Sequence, residues 1–501
     1  MQLFSWLRST RPHYVPDGTR SAKPAEHARL GVEPLEDRTV PSTFRVLNLA
    51  DSGPGSLRAA IADANIHPGA DLVRFDAAAR NGNIILTSGQ LSITDDLQID
   101  GPGAGRLAVS GNNASRVFQV SSNAVVSIED LTISHGGAVA QGGGIFNAGT
   151  LTLSRVTLSD NQVTGVPGVG PVVDAFGGGI FNTGNLTVRD SRFVHNQSIG
   201  GNGNAINTGT SALGGAIMSN GTANLPATAT VSHSVFIDNQ AVGGNAGAGA
   251  SRAGIGGAIS NGTGTVNITD SLFQNNQAVG GIDNGIPGGF GAGAGGAVGN
   301  VARFGNSILT INRSTFLGNR AVGGASGIGG NAQTGRGGAI ANYIFGGLPS
   351  PVTVQAIATV TASTFLGNEA IGGAGIIGGI GQGGGIANLN GGILTVSSSL
   401  IALNRAVGGV GNGGNGGNGQ GGGIFNGGIS PVGTPSLSLE HSLVVLNRAE
   451  GGVALGGGSD GLGQGGGLYL APGGLASADL LTLIFANDAA TSDEDVYGNL
   501  V

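Results

Sequence analysis

Gly177 to Gln197 reads GGGIFNTGNLTVRDSRFVHNQ, and close variants of this stretch return about nine times between Gly142 and Asn487. The unit opens on two or three glycines, then an apolar residue with Asn two places on: Ile145/Asn147, Ile180/Asn182, Ile340/Asn342, Ile386/Asn388, Ile424/Asn426. A second block follows, in which Leu186 and Val188 precede Ser191, Phe193 and Asn196. The same columns return at Leu309, Ile311, Ser314, Phe316, Asn319 and at Leu394, Val396, Ser399, Ile401, Asn404. Leu186 and Val188 share one face of an extended chain while Thr187 points away, which describes a strand. Phe193 and Asn196 lie three apart and break that period, so the chain turns near the Asn, a residue that tolerates the left-handed backbone of corners. Each unit reads as two or three short strands forming one coil that cannot bury its own apolar face. Stacking coils in parallel, about 4.8 Å apart, solves this.

Stacking turns columns into ladders. The Phe column (Phe193, Phe236, Phe273, Phe316, Phe365) is expected to fill the interior, with Leu158, Ile401, Val444 and Ile484 at other levels. The Asn column (Asn161, Asn196, Asn239, Asn276, Asn319, Asn368, Asn404, Asn447, Asn487) is expected to chain its amides from coil to coil, which satisfies groups that are costly to bury unpaired. The next column reads Gln162, Gln197, Gln240, Gln277, then Arg320, Glu369, Arg405, Arg448. In register, Glu369 would lie between two guanidinium groups, each exposed pair contributing about 0 to 1 kcal/mol.

The paired GGAI-type and FxxN motifs, repeated from about Ser127 to Asn487, resemble the repeats of the polymorphic outer membrane proteins. That resemblance implies an all-β, single-stranded, right-handed parallel β-helix of the pectate-lyase-like superfamily. Where that family would end in an outer-membrane barrel, this sequence stops at Val501, a departure from the pattern that puts autotransport in doubt. About 12 coils would make a rod roughly 55 to 60 Å long. In GVEPLEDRTVPS, Gly31 to Ser42, the chain resembles the LEPLEDR-type N-terminal motif of exported planctomycete proteins. DSGPGSLRAAIADANIHPG, Asp51 to Gly69, resembles the SLREAI-type segment that precedes secreted bacterial β-helices, with Leu57, Arg58 and Ile61 retained. Its own residues read as a capping helix: Ser56 as N-cap, an apolar stripe of Leu57, Ala60, Ile61 and Ala64, then Pro68 and Gly69 as a stop.

Four regions follow. Residues 1–42 are expected to be a basic, disordered leader for export or sorting, with an apolar patch too short for a cleavable secretory peptide. Residues 43–110 hold the N-terminal cap and first coils. Residues 111–487 are the repetitive helix, with glycine-rich surface loops such as Gly243 to Gly257 and Gly408 to Gly423 leaving at one corner. Residues 488–501 are an acidic tail that closes the last coil, after a decaying unit in which Asp479 takes the place of Val188. Glycine supplies 101 of 501 residues without a strict period of three, which excludes collagen. Charged residues are 10% and net charge is −7, with Lys23 the sole lysine, so there is no basic footprint for nucleic acid. Cysteine is absent, and no apolar run approaches the roughly 18 residues of a membrane helix.

No acid, base or nucleophile cluster names a reaction. Asp95, Asp96 and Asp100 are the densest acidic group before the tail, and neighbouring strand residues face opposite ways, which favours a turn role. Their convergence with Arg74 or Arg106 in one groove would instead point to an enzyme. His135 and His195 share a column roughly 9.6 Å apart, too far for one metal; His233 and His441 share another. The tail acids Asp493, Glu494 and Asp495 could hold calcium through oxygen ligands, although solvated charge is the simpler reading. No other cofactor is expected. The expectation is therefore a non-catalytic, exported protein of the cell surface or envelope with an adhesive or structural role, meeting glycans or other envelope proteins. The alternative is a carbohydrate-active enzyme, a polysaccharide lyase or glycoside hydrolase, on the same scaffold.

Overall fold

The computed structural model of the chain describes residues 41–167, 173–204, 207–246, 251–283, 291–326, 330–345, 354–428 and 433–500. The leader, except for its last two residues, lies outside them. Beyond it the chain winds through five parallel sheets as an all-β parallel β-helix. One coil shows the course: Asn185–Arg189 lies in a thirteen-stranded sheet, Arg192–Val194 in a twelve-stranded second sheet, and Gln197–Ile199 in a ten-stranded third. After a glycine-rich connection, Ala212–Leu213 joins an eight-stranded fourth sheet and Ile217–Ser219 a twelve-stranded fifth. Strand twist favours the right-handed sense for such parallel connections. The coil holds more strands than the two or three expected, because short segments on both sides of the glycine connection also pair with the coils above and below. Among the described residues no helix is long and apolar enough to cross a membrane.

Alternation does what the sequence period requires. Leu186 and Val188 are buried while Thr187 is exposed. Phe193, Phe236, Phe273, Phe316 and Phe365 stack ring on ring at 4.6 to 4.9 Å, fully buried. Beside them the Asn side chains run as one chain of amides: Asn161 Nδ2 donates to Asn196 Oδ1, and the pattern repeats to Asn487 at 2.9 to 3.0 Å. A second amide ladder on the fifth sheet links Asn147 to Asn182 and runs from Asn261 through Asn300, Asn342 and Asn388 to Asn426, each bond 2.8 Å. Gln162, Gln197, Gln240 and Gln277 are successive partners on the third sheet, followed by Arg320, Glu369, Arg405 and Arg448. Glu369 lies 3.1 Å from Arg320 and 2.9 Å from Arg405.

Two local expectations need correction. The left-handed corner residue is not the Asn but the one before it, as in His195, Asp238 and Asn275. The Asn must aim its amide inward, so its neighbour takes the φ near +53°. Asp479 does not replace Val188 either: Ala478 pairs with Leu439 in that column. One extra residue in the following corner shifts the count, and Asp479 instead accepts from the His441 amide at 3.0 Å.

The glycine-rich segments are not simply surface loops. The third and fourth sheets lie back to back as a thin fin in which alanines such as Ala321 and Ala370 meet glycines such as Gly335 and Gly381. A β-carbon on Gly335 would collide with the carbonyl oxygens of Ala321 and Ile371. Further out, Gly281, Gly324, Gly373, Gly409 and Gly452 form a vertical column in which each β-carbon would strike the carbonyl of the glycine one coil back. Only the absence of side chains permits this spacing.

Both ends of the described array are covered. The helix Leu57–Ala64 has Ser56 as N-cap, accepting from the Ala59 amide, and buries Leu57, Ala60, Ile61 and Ala64. Arg58 fastens it, donating to Asp51 Oδ1 at 2.6 Å and to the Gly89 and Gln90 carbonyls at 2.7 and 2.9 Å. At the other end Asp495 Oδ1 accepts from the Asn487 amide nitrogen and Nδ2, the pattern each Asn shows its successor, and Val496–Tyr497 adds a strand to the fifth sheet.

Candidate functional site

In the fifth sheet Ile180 and Asn182 face the core, so Phe181 between them faces outward. In the fourth sheet Ala175 packs into the fin, so Phe176 faces outward too. Gly177, at φ +64°, turns the chain so tightly that these two outer faces meet in a seam. Phe176 and Phe181 stack there at 5.3 Å, and a second apolar cluster, separate from the core, follows the seam through Met218, Ile255, Tyr343 and Phe425. Toward the far end Phe425, Tyr469 and Tyr497 stack in turn at 5.4 and 4.5 Å, and the column beside them on the fourth sheet is Gln382, Gln420, Gln464.

Arginine is concentrated along this seam in a chain whose net charge is −7. Arg116 lies 5.2 Å over the Phe146 ring and donates to the Gly142 and Gln141 carbonyls, and burial holds its pKa down. Arg303 lies between the rings of Phe304 and Phe345, at 5.0 and 4.9 Å. Its Nη1 is 3.8 Å from Asp174 Oδ2, too long for a hydrogen bond. Arg252 also faces Asp174 and donates to the Gly209 carbonyl at 3.2 Å. Burial pushes the Asp174 carboxyl up, while the Ser211 amide, Arg303 and Arg252 pull it back. Arg336, in the fourth sheet, has its pKa lowered by burial. Burial pushes the neighbouring Tyr343 phenol up to about 12 against the opposing pull of Arg336 and Arg303, so at neutral pH it is a hydrogen-bond donor and not a base. Two of these arginines, Arg303 and Arg252, thus face the Asp174 carboxylate among stacked aromatic rings.

The expected acidic group divides. Asp95 Oδ1 accepts from the Asp96 amide at 2.9 Å and Asp96 Oδ1 from the Val125 amide at 2.8 Å, which is a turn. Asp100 does meet Arg74, at 3.2 Å, in a hollow of about 320 Å³ shared with Arg80 and Arg106. It supplies a single carboxylate there, whereas glycoside hydrolysis uses two. His195 lies 3.6 Å from both Asp160 and Asp238, and His441 2.8 Å from Asp479, all at corners. His135 lines a polar hollow of about 310 Å³ with Asn83, Asn112 and Ser134. No group of three or more potential metal ligands occurs among the described residues.

One arrangement has the order of a hydrolytic triad: Ser42 Oγ is 3.1 Å from His67 Nε2, and His67 Nδ1 is 3.1 Å from Asp71 Oδ1. The Ser42 amide, which an oxyanion hole would require, is bonded to that same Asp71 oxygen at 3.0 Å. The trio braces the first strand against the helical cap.

The ladder residues singled out in the sequence lie elsewhere. The Phe and Asn columns are interior, and Gln162, Gln197, Gln240 and Gln277 lie on the opposite flank of the fin from the seam. What the sequence reading missed was the column just before each glycine pair: Phe176, Leu213, Ile255, Ala294, Arg336, Gln382, Gln420, Gln464. It can be read off directly once the units are aligned.

No family model and no curated protein matches the chain. Among solved structures it is similar to tailspike protein 3 of bacteriophage CBA120, at 13% identity and TM-score 0.37, over 91% of this chain and 61% of that one. The chain therefore spans less than two thirds of the tailspike. It is also similar to a mannuronic acid specific polysaccharide family 6 lyase from human gut microbiota, at 11% identity and TM-score 0.39, over 87% of this chain and 86% of the other. At such identities the chemistry of the site is read from its own residues.

Proposed function

We propose that this is an exported, non-catalytic β-helix of the cell surface or envelope that holds glycans along the seam between its fourth and fifth sheets. The observation that carries the reading is the parallel run of stacked rings, Phe425, Tyr469 and Tyr497, beside the amides Gln382, Gln420 and Gln464. The faces are taken up by the stack, so the ring edges along the seam meet the apolar side of a sugar while amides bond its hydroxyls. A rigid array one coil apart suits a repeating polymer. Glycan-array binding by the full chain tests this: the expected result is retention of oligosaccharides that is lost on substituting Tyr469→Ala, and an array with no retained glycan overturns it.

The hollow around Asp100, Arg74 and Arg106 favours carbohydrate-active chemistry as a second reading. It expects turnover of a polysaccharide that Asp100→Asn abolishes. A screen on uronic-acid and neutral polymers with no product formed removes it.

A further inference from the structure

Arg336 occupies an odd place. Its column on the fourth sheet runs from apolar residues, ending at Ala294, to the neutral amides of Gln382, Gln420 and Gln464, and it brings the only formal charge into that sequence of partners. Its Nε is sealed from solvent and has no hydrogen-bond partner, and no ion pair reaches its guanidinium among the described residues. Next to it Gln382 is 3% exposed; its Nε2 donates to Gln420 at 3.2 Å, and its Oε1 is left unpartnered. Other buried polar atoms of the described residues also lack partners, Ser260 Oγ and Thr263 Oγ1 among them, but here a cationic group and an amide oxygen do so as register partners on adjacent strands. A half-buried guanidinium with a sealed, unpartnered Nε and no counter-charge, beside a sealed carbonyl oxygen without a donor, marks a place completed by something else.

We propose that Arg336, with Tyr343 and Gln382, forms a subsite for the carboxylate of an anionic saccharide, so that the seam selects acidic over neutral glycans. The inference rests on the glycan-binding reading and names the class of ligand within it. The planar guanidinium presents paired N–H groups to a carboxylate. The Tyr343 hydroxyl, protonated at neutral pH, donates alongside. Gln382 Oε1 accepts from a sugar hydroxyl. Arg303, held between Phe304 and Phe345, and Arg252 add positive potential, which Asp174 offsets only in part.

The test uses the full chain, its Arg336→Gln variant and its Tyr343→Phe variant. Glutamine continues the amide column, so R336Q is expected to fold. In thermal melts at matched ionic strength, sodium glucuronate is expected to raise the melting temperature of the wild type, glucose to leave it unchanged, and R336Q to lose the rise. By calorimetry an oligouronide should bind the wild type about tenfold more tightly than its carboxyl-reduced counterpart, R336Q should bind both alike, and Y343F should retain part of the preference. Equal effects of glucuronate and glucose on the wild type, or a preference surviving in R336Q, overturn the subsite. An equal shift with glucose 6-sulfate overturns the carboxylate assignment in favour of a general oxyanion site. If acidic and neutral oligosaccharides bind equally well, the subsite fails and the glycan-binding reading stands. If neither binds while glucuronate still shifts only the wild type, the subsite stands and that reading fails.

Discussion

Arg336 and Gln382 are register partners on adjacent strands of the fourth sheet, yet the Gln382 amide bonds onward to Gln420 at 3.2 Å while the buried Arg336 Nε has no partner among the described residues. A charge placed there disfavours the folded state. Arg336→Gln is therefore expected to stabilise the protein by about 1 to 2 kcal/mol, less than a fully buried ion would give because solvent reaches part of the group. Urea unfolding reads this directly, and a lowered midpoint would show that the arginine has a partner in solution.

Phe273 lies between Phe236 and Phe316, with ring centres 4.7 and 4.9 Å away. Phe273→Ala leaves a void that rigid coils above and below cannot collapse into. The expected loss is about 3 to 5 kcal/mol. A urea midpoint unmoved by the substitution would place the ring outside the core.

Asn319 accepts from both the amide nitrogen and the Nδ2 of Asn276 and donates to Asn368 Oδ1 and the Phe273 carbonyl, all between 2.9 and 3.0 Å, with no solvent exposure. Asn319→Ala strands several polar groups at once and is expected to cost about 2 to 4 kcal/mol. Hydrogen exchange at the Asn276 amide should quicken; unchanged protection there would mean that water enters and replaces the side chain.

Asp51 gives the acid limb. Burial would raise its pKa, but hydrogen bonds from Arg58, Ser88 and Thr87 outweigh this and hold the carboxyl well below the usual carboxylate range. A depressed folded pKa means that the stabilisation is complete above the unfolded value of about 3.9 and is lost as pH falls below it. Asp51→Asn should cost about 2 to 4 kcal/mol at neutral pH and flatten the fall in urea midpoint between pH 5 and 2.5. An equally steep fall in the variant would assign the acid sensitivity to other carboxylates.

The interior was legible in the sequence because vertical neighbours there are also column neighbours. Phe193 meets Phe236 and Gln240 meets Gln277 by counting alone. The cap was legible for a similar reason, since Ser56, Leu57 and Ile61 act locally. The seam was not. Phe181 meets Phe176 only because Gly177 folds the chain back on itself, and strand periodicity carries no corner angle. The unpaired state of Arg336 depends on what fails to surround it, which no spacing rule reports. The meeting of Asp100 with Arg74 follows from their being register partners on adjacent strands before the regular repeat begins, where columns cannot be counted.

The glycine column of the fin has an evolutionary corollary. Where Gly324, Gly373 and Gly409 stack, even one methyl group has no room, so single substitutions on that flank are closed to selection. Length changes at the fin's rim leave that column intact, which makes the rim the place where sister proteins should differ in length while keeping these glycines beneath it.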